Sequence, residues 1–325
     1  MMDRRLAAFI VILSVLCLAC TTCAAGAAGG PDDTAAIVTA DRDVDTHIKV
    51  LCIGNSLSQD CMAYMPFIMQ ELTDQVEITL GIAYHRGAGI DDYIDFFTKD
   101  TASITYNRKS PDKDEWTFTQ NQTVKQILDD EDWDIVTFQQ KSGRQEVWSS
   151  YANSNELISD VVEYMAATQN KNVYVGWLMP QIRYKTATDS SFDDLAKCMQ
   201  KVLETTPASF VIPCGTAVHY ARQTDLNTIG DGGGLTDDGV HLQEGLPCLL
   251  TAYVSAMKIM DMCGVDYRPV FDDQTRPLQD WVRAHKIPGQ NGKSVGVTDE
   301  NCALAQELAG KAIMYPLGSD PINNY

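Results

Sequence analysis

The order of apolar runs predicts an α/β chain, a three-layer α/β/α sandwich around a mostly parallel central sheet. Two observations lead there. Short apolar runs suited to buried strands, over residues 48–53, 76–83, 133–138, 173–179 and 210–213, alternate with segments of helical apolar spacing such as 153–168 and 192–203. The chain is also long enough, at 325 residues and 45% hydrophobic, to build one sizeable core, and it contains no internal repeat and no linker that would divide it.

The first strand sets the reading of the rest. Val50-Leu51-Cys52-Ile53 runs into Gly54-Asn55-Ser56, and residues 59–72 then take up helical spacing. Gly54 permits a tight turn because it lacks a Cβ. Ser56 therefore falls where a strand ends and a helix begins, beside unpaired backbone N–H groups that favour negative charge. The plainer account makes Ser56 or Ser58 an N-cap. Further along, residues 104–119, with Ser110-Pro111-Asp112-Lys113-Asp114 at their centre, predict a polar hairpin inserted before the third strand. Its aromatics Tyr106, Trp116 and Phe118 are expected to pack on the core, the alternative being the border of a cleft. Helices are predicted over 245–262 and 300–314, separated by an irregular stretch at 268–293.

The N-terminus reads as an export signal. Arg4-Arg5 precede an apolar run over residues 6–18 and then small residues through Gly30, so residues 1–29 are assigned to a signal peptide with cleavage near 25–28. Residues 30–46 follow as a flexible segment, and 47–325 as a single domain. Cys17-Leu18-Ala19-Cys20 offers an alternative, lipid anchoring at Cys20, ranked lower because Cys17 stands where such a signal usually has leucine. The run 6–18 is short for a bilayer span, and no other segment is long and apolar enough to cross one. The expected location is secreted or extracytoplasmic, with no integral membrane contact.

A net charge of −19 argues against nucleic acid as a partner, since phosphate recognition needs concentrated Lys and Arg. It suits a neutral or cationic substrate. Beyond the leader lie Cys52, Cys61, Cys198, Cys214, Cys248, Cys263 and Cys302, an odd set without regular spacing in which one or two disulfides could form. Cys52, inside the first strand, is expected to be a buried small hydrophobe rather than a nucleophile.

Serine chemistry at neutral pH needs a base for the hydroxyl proton and donors for the developing oxyanion. A base is offered by Leu235-Thr236-Asp237-Asp238-Gly239-Val240-His241, whose spacing lets the Asp238 carboxylate fold back on the His241 ring and fix its tautomer. Taken alone, Asp237 or Asp238 would more simply cap the next helix. Competing motifs are incomplete. Ser58 breaks Gly-x-Ser-x-Gly, Ile287 replaces the first glycine of a phosphate loop ending in Gly292-Lys293-Ser294, and Ile229 and Thr236 spoil the calcium-loop pattern that starts at Asp225. His47, His85, His219 and His285 lack zinc-ligand spacing. No metal or organic cofactor is called for.

Gly54-Asn55-Ser56 together with Asp238-x-x-His241 resembles the SGNH branch of the GDSL-type lipases and esterases. The resemblance implies a flavodoxin-like fold and a triad of Ser56, His241 and Asp238. It also implies an oxyanion hole made by backbone N–H of Ser56 and of a second-block glycine, matched by Gly87 with Gly89 in reserve. The family's third block, Gly-x-Asn-Asp, is not matched. Gln139-Gln140-Lys141-Ser142-Gly143 stands there instead, and Gln140 takes over the amide donor, with Gln139 as the alternative. Glutamines that merely bond neighbouring loop backbone are the competing account. Asn55, Arg86 and Gln139 are candidate substrate contacts. The Gly-Asn-Ser, Gln-Gln-x-Ser and Asp-Gly-x-His-Leu combination is similar to a branch of secreted bacterial SGNH-like proteins linked to glycan breakdown. It implies removal of acetyl or short acyl groups from a small acylated sugar or polysaccharide. The rival expectation is a secreted glycan-binding protein that keeps the fold without catalysis.

Overall fold

Alternation of side chains along the first strand, β1 (Thr46–Gly54), divides the molecule into its two cores. Val50 and Cys52 point into one cluster of buried residues, Leu51 and Ile53 into the other. All four are at most 1% exposed, so β1 is buried on both faces, as expected of a central parallel strand. The computed structural model describes residues 46–73, 75–169, 172–183, 189–228, 234–268 and 294–318. The signal-peptide and lipid-anchor assignments, His285 and most of the irregular stretch at 268–293 lie outside them.

After β1 come α1 (Ser56–Met62), α2 (Met65–Leu72), β2 (Val76–Tyr84), α3 (Ile90–Thr98), β3 (Ile104–Lys109), β4 (Thr117–Gln122), α4 (Val124–Asp130) and β5 (Ile135–Phe138). The chain continues through α5 (Ser154–Gln169), β6 (Tyr174–Leu178), α6 (Asp189–Thr205), β7 (Phe210–Ile212), α7 (Cys214–Ala221), β8 (Glu244–Gly245), α8 (Leu246–Met262), β9 (Ser294–Val295) and α9 (Asp299–Met314). The main sheet has seven strands in the order β4-β3-β2-β1-β5-β6-β7. Its β2-β1-β5-β6-β7 part is parallel throughout, and β3 and β4 are added antiparallel at one edge. That is the doubly wound order of flavodoxin-like sheets, in which the connection reverses direction at β1. Helices α1, α2, α7, α8 and α9 contribute to the first core, and α3, α4, α5 and α6 to the second. The predicted three-layer sandwich is thus the observed architecture.

Departures from the sequence reading have local causes. The helix expected over 59–72 is two helices, because Pro66 sits in the first turn of α2 and cannot donate the N–H that a continuous helix requires. Short helices α3, α4 and α7 were not anticipated; each is under ten residues and leaves little periodicity to read. The hairpin forms from β3 and β4, with Tyr106 and Trp116 buried and Phe118 53% exposed. All seven described cysteines are buried, and none of the possible disulfides forms among the described residues.

Two contacts fix α1, the helix that carries Ser56. Thr251 and Ser255 on α8 donate their hydroxyls to the carbonyls of Asp60 and Cys61, at 3.2 and 3.1 Å. These carbonyls lie in the last turn of α1, where intrahelical partners run out. Helix α8 is itself almost wholly buried, so it anchors α1 from inside the first core.

Close approach across the sheet constrains β2. A methyl group at Gly81 would lie 2.6 Å from the Trp133 ring, which is fully buried and held by a 3.0 Å hydrogen bond from its Nε1 to the Ile127 carbonyl. Gly81→Ala is expected to cost about 1–3 kcal/mol by overpacking, read as a lowered midpoint in urea at unchanged slope.

Candidate active site

Strand β1 ends at Gly54, and Asn55 turns the chain into α1 from an extended backbone conformation (φ −132°). Its side chain caps the helix. Oδ1 accepts from the Leu57 N–H at 2.9 Å and from Gln139 Nε2 at 2.9 Å, while Nδ2 donates to the Ala88 carbonyl at 2.7 Å. Gln139 completes the knot: its Oε1 accepts from the Ser58 hydroxyl at 2.6 Å and from the Asn55 N–H at 3.3 Å, and its Nε2 also donates to the Gln140 carbonyl at 3.0 Å. The ends of β1 and β5 and the loop after β2 are thereby joined by two buried amides. A Cβ at Gly54 would come within 2.3 Å of Ser58 Oγ and 2.6 Å of Gln139 Oε1, so glycine is required there by space.

Ser56, the residue after the cap, is half-buried and opens α1. Its Oγ lies 2.8 Å from His241 Nε2, and His241 Nδ1 lies 2.8 Å from Asp238 Oδ2. The structure brings all three predicted triad residues into one chain of hydrogen bonds. With a proton on Nδ1 donated to Asp238, Nε2 is left to accept from the serine; this tautomer follows from the partners. Asp238 does not cap a helix, as α8 begins only at Leu246. Its Oδ1 accepts instead from the N–H groups of Val240 and His241 at 2.8 and 2.9 Å, and Gly239 (φ +84°) supplies the left-handed turn. Partial burial pushes the Asp238 carboxyl upward. The His241 N–H, the His241 ring and the Val240 N–H outweigh it and bring the group down to about 2.

The triad opens onto a cleft of about 820 Å³ whose walls include Tyr84, Arg86, Gly87, Lys141 and Ser142. Gly87 has φ +67°, and its N–H forms no hydrogen bond among the described residues. The N–H of the reserve candidate, Gly89, donates to Asp92 Oδ2 at 2.8 Å within a capping box. Gly87 is therefore the glycine with a donor to offer, alongside Ser56, whose N–H at the first helical position has no carbonyl one turn back. Arg86 is exposed on the rim, without an ion pair among the described residues. Lys141 pairs with Asp92 at 2.8 Å. Burial raises Asp92, and hydrogen bonds from Lys141 and Gly89 more than offset it, leaving that carboxyl below its usual range.

The two glutamines are where the sequence reading departs from the structure. Gln140 is 2% exposed; its Nε2 donates to the Ser150 carbonyl at 2.7 Å and hydroxyl at 3.2 Å, and its Oε1 accepts from the Lys141 N–H at 2.9 Å. Neither it nor Gln139 lines the cleft. Both amides face inward, spent on the loops as in the competing account of these residues. Asn55 does border the cleft, but its amide is committed to Leu57, Gln139 and Ala88.

Two positions that the sequence reading passed over adjoin the triad. Asp60, one turn after Ser56 on α1, accepts from the Leu242 N–H at 2.9 Å, and Gln181 donates to the Val240 carbonyl at 2.7 Å. The spacing from Ser56 to Asp60 could have flagged the first, since positions four apart share a helix face. Gln181 follows β6 in irregular chain, with no pattern around it. Elsewhere, burial first, opposed by a hydrogen bond to Thr137 and abetted by the nearby Cys214, pushes the Cys52 thiol up to about 12, which leaves it inert as a nucleophile. His47 bonds Thr79, His85 packs at a tilt against Phe96, and His219 stacks on Phe192. Among the described residues no group of His, Cys, Asp and Glu is placed to hold a metal, and no helix is long and apolar enough to cross a membrane.

The family model described as Domain of unknown function (DUF4886) matches residues 49–270, from β1 to beyond α8 and across all three triad positions. The chain belongs to this family. A crystal structure of a DUF4886 family protein from Bacteroides uniformis ATCC 8492 is 21% identical, covers 83% of this chain and 96% of its own, and superposes with a TM-score of 0.67. The DUF4886 fold is therefore shared at low sequence identity. Weaker likenesses are a candidate SGNH hydrolase from Slackia heliotrinireducens (18% identity, 66% and 100% covered, TM-score 0.40) and a catalytic mutant of an acetylxylan esterase from Geobacillus stearothermophilus (13%, 69% and 97%, 0.41). No curated protein matches the chain.

The lowered Asp238 carboxyl has a pH consequence. A carboxyl depressed on folding stabilises the native state above its unfolded value, near 4, and that stabilisation is lost as pH falls toward about 2. Because the Asp238 side chain is 56% exposed, solvent screening keeps the effect below about 1 kcal/mol. The parent should lose slightly more thermal stability than Asp238→Asn between about pH 5 and pH 2, a difference that paired melting curves would resolve.

Proposed function

We propose that this DUF4886 chain is a serine esterase of the SGNH type, acting outside the cytoplasm to remove acetyl or other short acyl groups from a carbohydrate. The observation that carries the reading is the hydrogen-bonded line Ser56, His241, Asp238 beside the carboxyl end of β1, in one cleft with Gly87, whose N–H forms no hydrogen bond among the described residues. That site lies at the sheet's reversal point, where open α/β sheets bind their ligands. The leader-like residues 1–29 support the location. An open cleft of about 820 Å³ suits a sugar-sized or polymeric substrate better than a long acyl chain, which would call for an enclosed apolar channel.

In this mechanism His241 Nε2 takes the proton of the Ser56 hydroxyl as its oxygen attacks the ester carbonyl. Backbone N–H groups of Ser56 and Gly87 hold the oxyanion, and Asp238 steadies the imidazolium. His241 then protonates the departing sugar oxygen, and water, deprotonated by the same ring, releases the acid as that proton returns to the Ser56 oxygen. Gln140 has no part in these steps.

The test is acetate release from p-nitrophenyl acetate and from acetylated glycans. Ser56→Ala and His241→Ala are each expected to lower kcat by about 10³-fold or more while leaving the melting temperature near that of the parent. Retained turnover in Ser56→Ala would sink the assignment. Gln140→Ala should change kcat less than about threefold if its amide stays out of the oxyanion hole, at a cost of about 1–3 kcal/mol in stability for the unpaired Ser150 and Lys141 groups. A folded parent inactive on every substrate would favour a glycan-binding protein instead, a reading supported by the inward-facing Gln140.

A further inference from the structure

The loop bearing the base is held by two side chains outside the triad. Residues 235–243 close on themselves: the Asp237 N–H donates to the His241 carbonyl at 2.9 Å, and the Gln243 N–H to the Leu235 carbonyl at 3.0 Å. This internal bonding fixes the shape of the loop but not its place on the protein. Leu235 and Leu242 seat it in the first core, and the position of His241 itself is set where its two flanking peptide groups meet the body of the protein. On one side, the Val240 carbonyl accepts from Gln181 Nε2 at 2.7 Å; on the other, the Leu242 N–H donates to Asp60 Oδ2 at 2.9 Å. Gln181 and Asp60 are also joined to each other, Nε2 to Oδ2 at 3.4 Å, and both are buried, 1% and 3% exposed. The His241 side chain itself is 43% exposed, so packing around the ring contributes little to its position.

We propose that Asp60 and Gln181 form a positioning pair that sets the distance between His241 and Ser56 and so governs proton transfer. This rests on the esterase reading above. Geometry is what makes it work. Asp60 and Ser56 are one turn apart on α1, so the helix that carries the nucleophile also holds the base's backbone, and α1 in turn is fixed by Thr251 and Ser255. Any shift of α1 would carry nucleophile and base together. Gln181 is held from its other end, where its backbone carbonyl accepts from the Gln145 side chain at 2.6 Å. What the Leu242 N–H needs from Asp60 is an acceptor oxygen, which an asparagine also supplies.

The experiment compares Asp60→Ala, Asp60→Asn and Gln181→Leu in the full chain, each with His241 intact and with His241→Ala, on p-nitrophenyl acetate. With His241 present, Asp60→Ala should lower kcat by roughly 10- to 100-fold, the scale of a small misplacement of a catalytic group, with KM within about twofold. Asp60→Asn should recover kcat to within about fivefold of the parent, and Gln181→Leu should lower it by about three- to tenfold. In the His241→Ala background the same substitutions should cost nothing further, since the ring they position is gone. Equal losses in both backgrounds, or an Asn variant no better than Ala, would overturn the proposal. If Asp60→Ala does not fold, Gln181→Leu carries the same two-background comparison. A parent without turnover overturns the esterase reading and this inference together; an active parent indifferent to all three substitutions overturns the inference alone.

Discussion

The pairing of two buried amides, Asn55 and Gln139, is the constraint on which the site depends. Between them they accept or donate at Leu57, Ser58, Ala88 and Gln140, groups contributed by α1, the loop after β2 and the end of β5. Buried amides of this kind are costly unless they are hydrogen-bonded, and here each amide oxygen and each amide nitrogen has a partner. The consequence is rigidity at the point where the sheet reverses direction. Ser56 and Gly87 sit on segments that this pair ties together, which is why a half-buried serine can hold one orientation beside a loop rich in glycine.

The other half of the site arrives from far along the chain. His241 lies 185 residues after Ser56, in a loop whose own hydrogen bonds shape it and whose docking depends on α1 and on the segment after β6. Local closure plus two buried anchors achieves order without covering the imidazole. A ring that stays exposed gains little from apolar burial, so polar contacts to its backbone take over much of the task.

Much of this was legible in the residues. A mostly parallel sheet covered by helices follows from alternating apolar runs, because a strand buried on both faces is apolar along its buried length, as Val50-Leu51-Cys52-Ile53 are. Ser56, Asp238 and His241 could be read because each belongs to a short local pattern: a strand-to-helix turn, and a carboxylate three residues ahead of a histidine. What could not be read was the direction in which side chains of equal chemistry would face. Gln139 and Gln140 carry the same amide, and only the meeting of β5 with Asn55 and of the next loop with Ser150 decides where each amide is spent. The break between α1 and α2 was readable in Pro66. Asp60 was half-legible, by its helical spacing from Ser56, whereas Gln181 depends on a contact 59 residues away.

The seven sheltered thiols carry a cost that appears only when the fold is lost. In the native state Cys52, Cys61, Cys198, Cys214, Cys248, Cys263 and Cys302 are all out of solvent, and burial pushes Cys52 and Cys61 toward the unreactive protonated form. An unfolded chain in an oxidising medium would present all of them at once, with no native pairing to select for. Oxidation by that medium, which takes two electrons per disulfide, would tie the chain into mismatched loops and dimers that do not refold. The molecule's lifetime in such surroundings is thus governed by how seldom it opens, a kinetic barrier rather than an equilibrium.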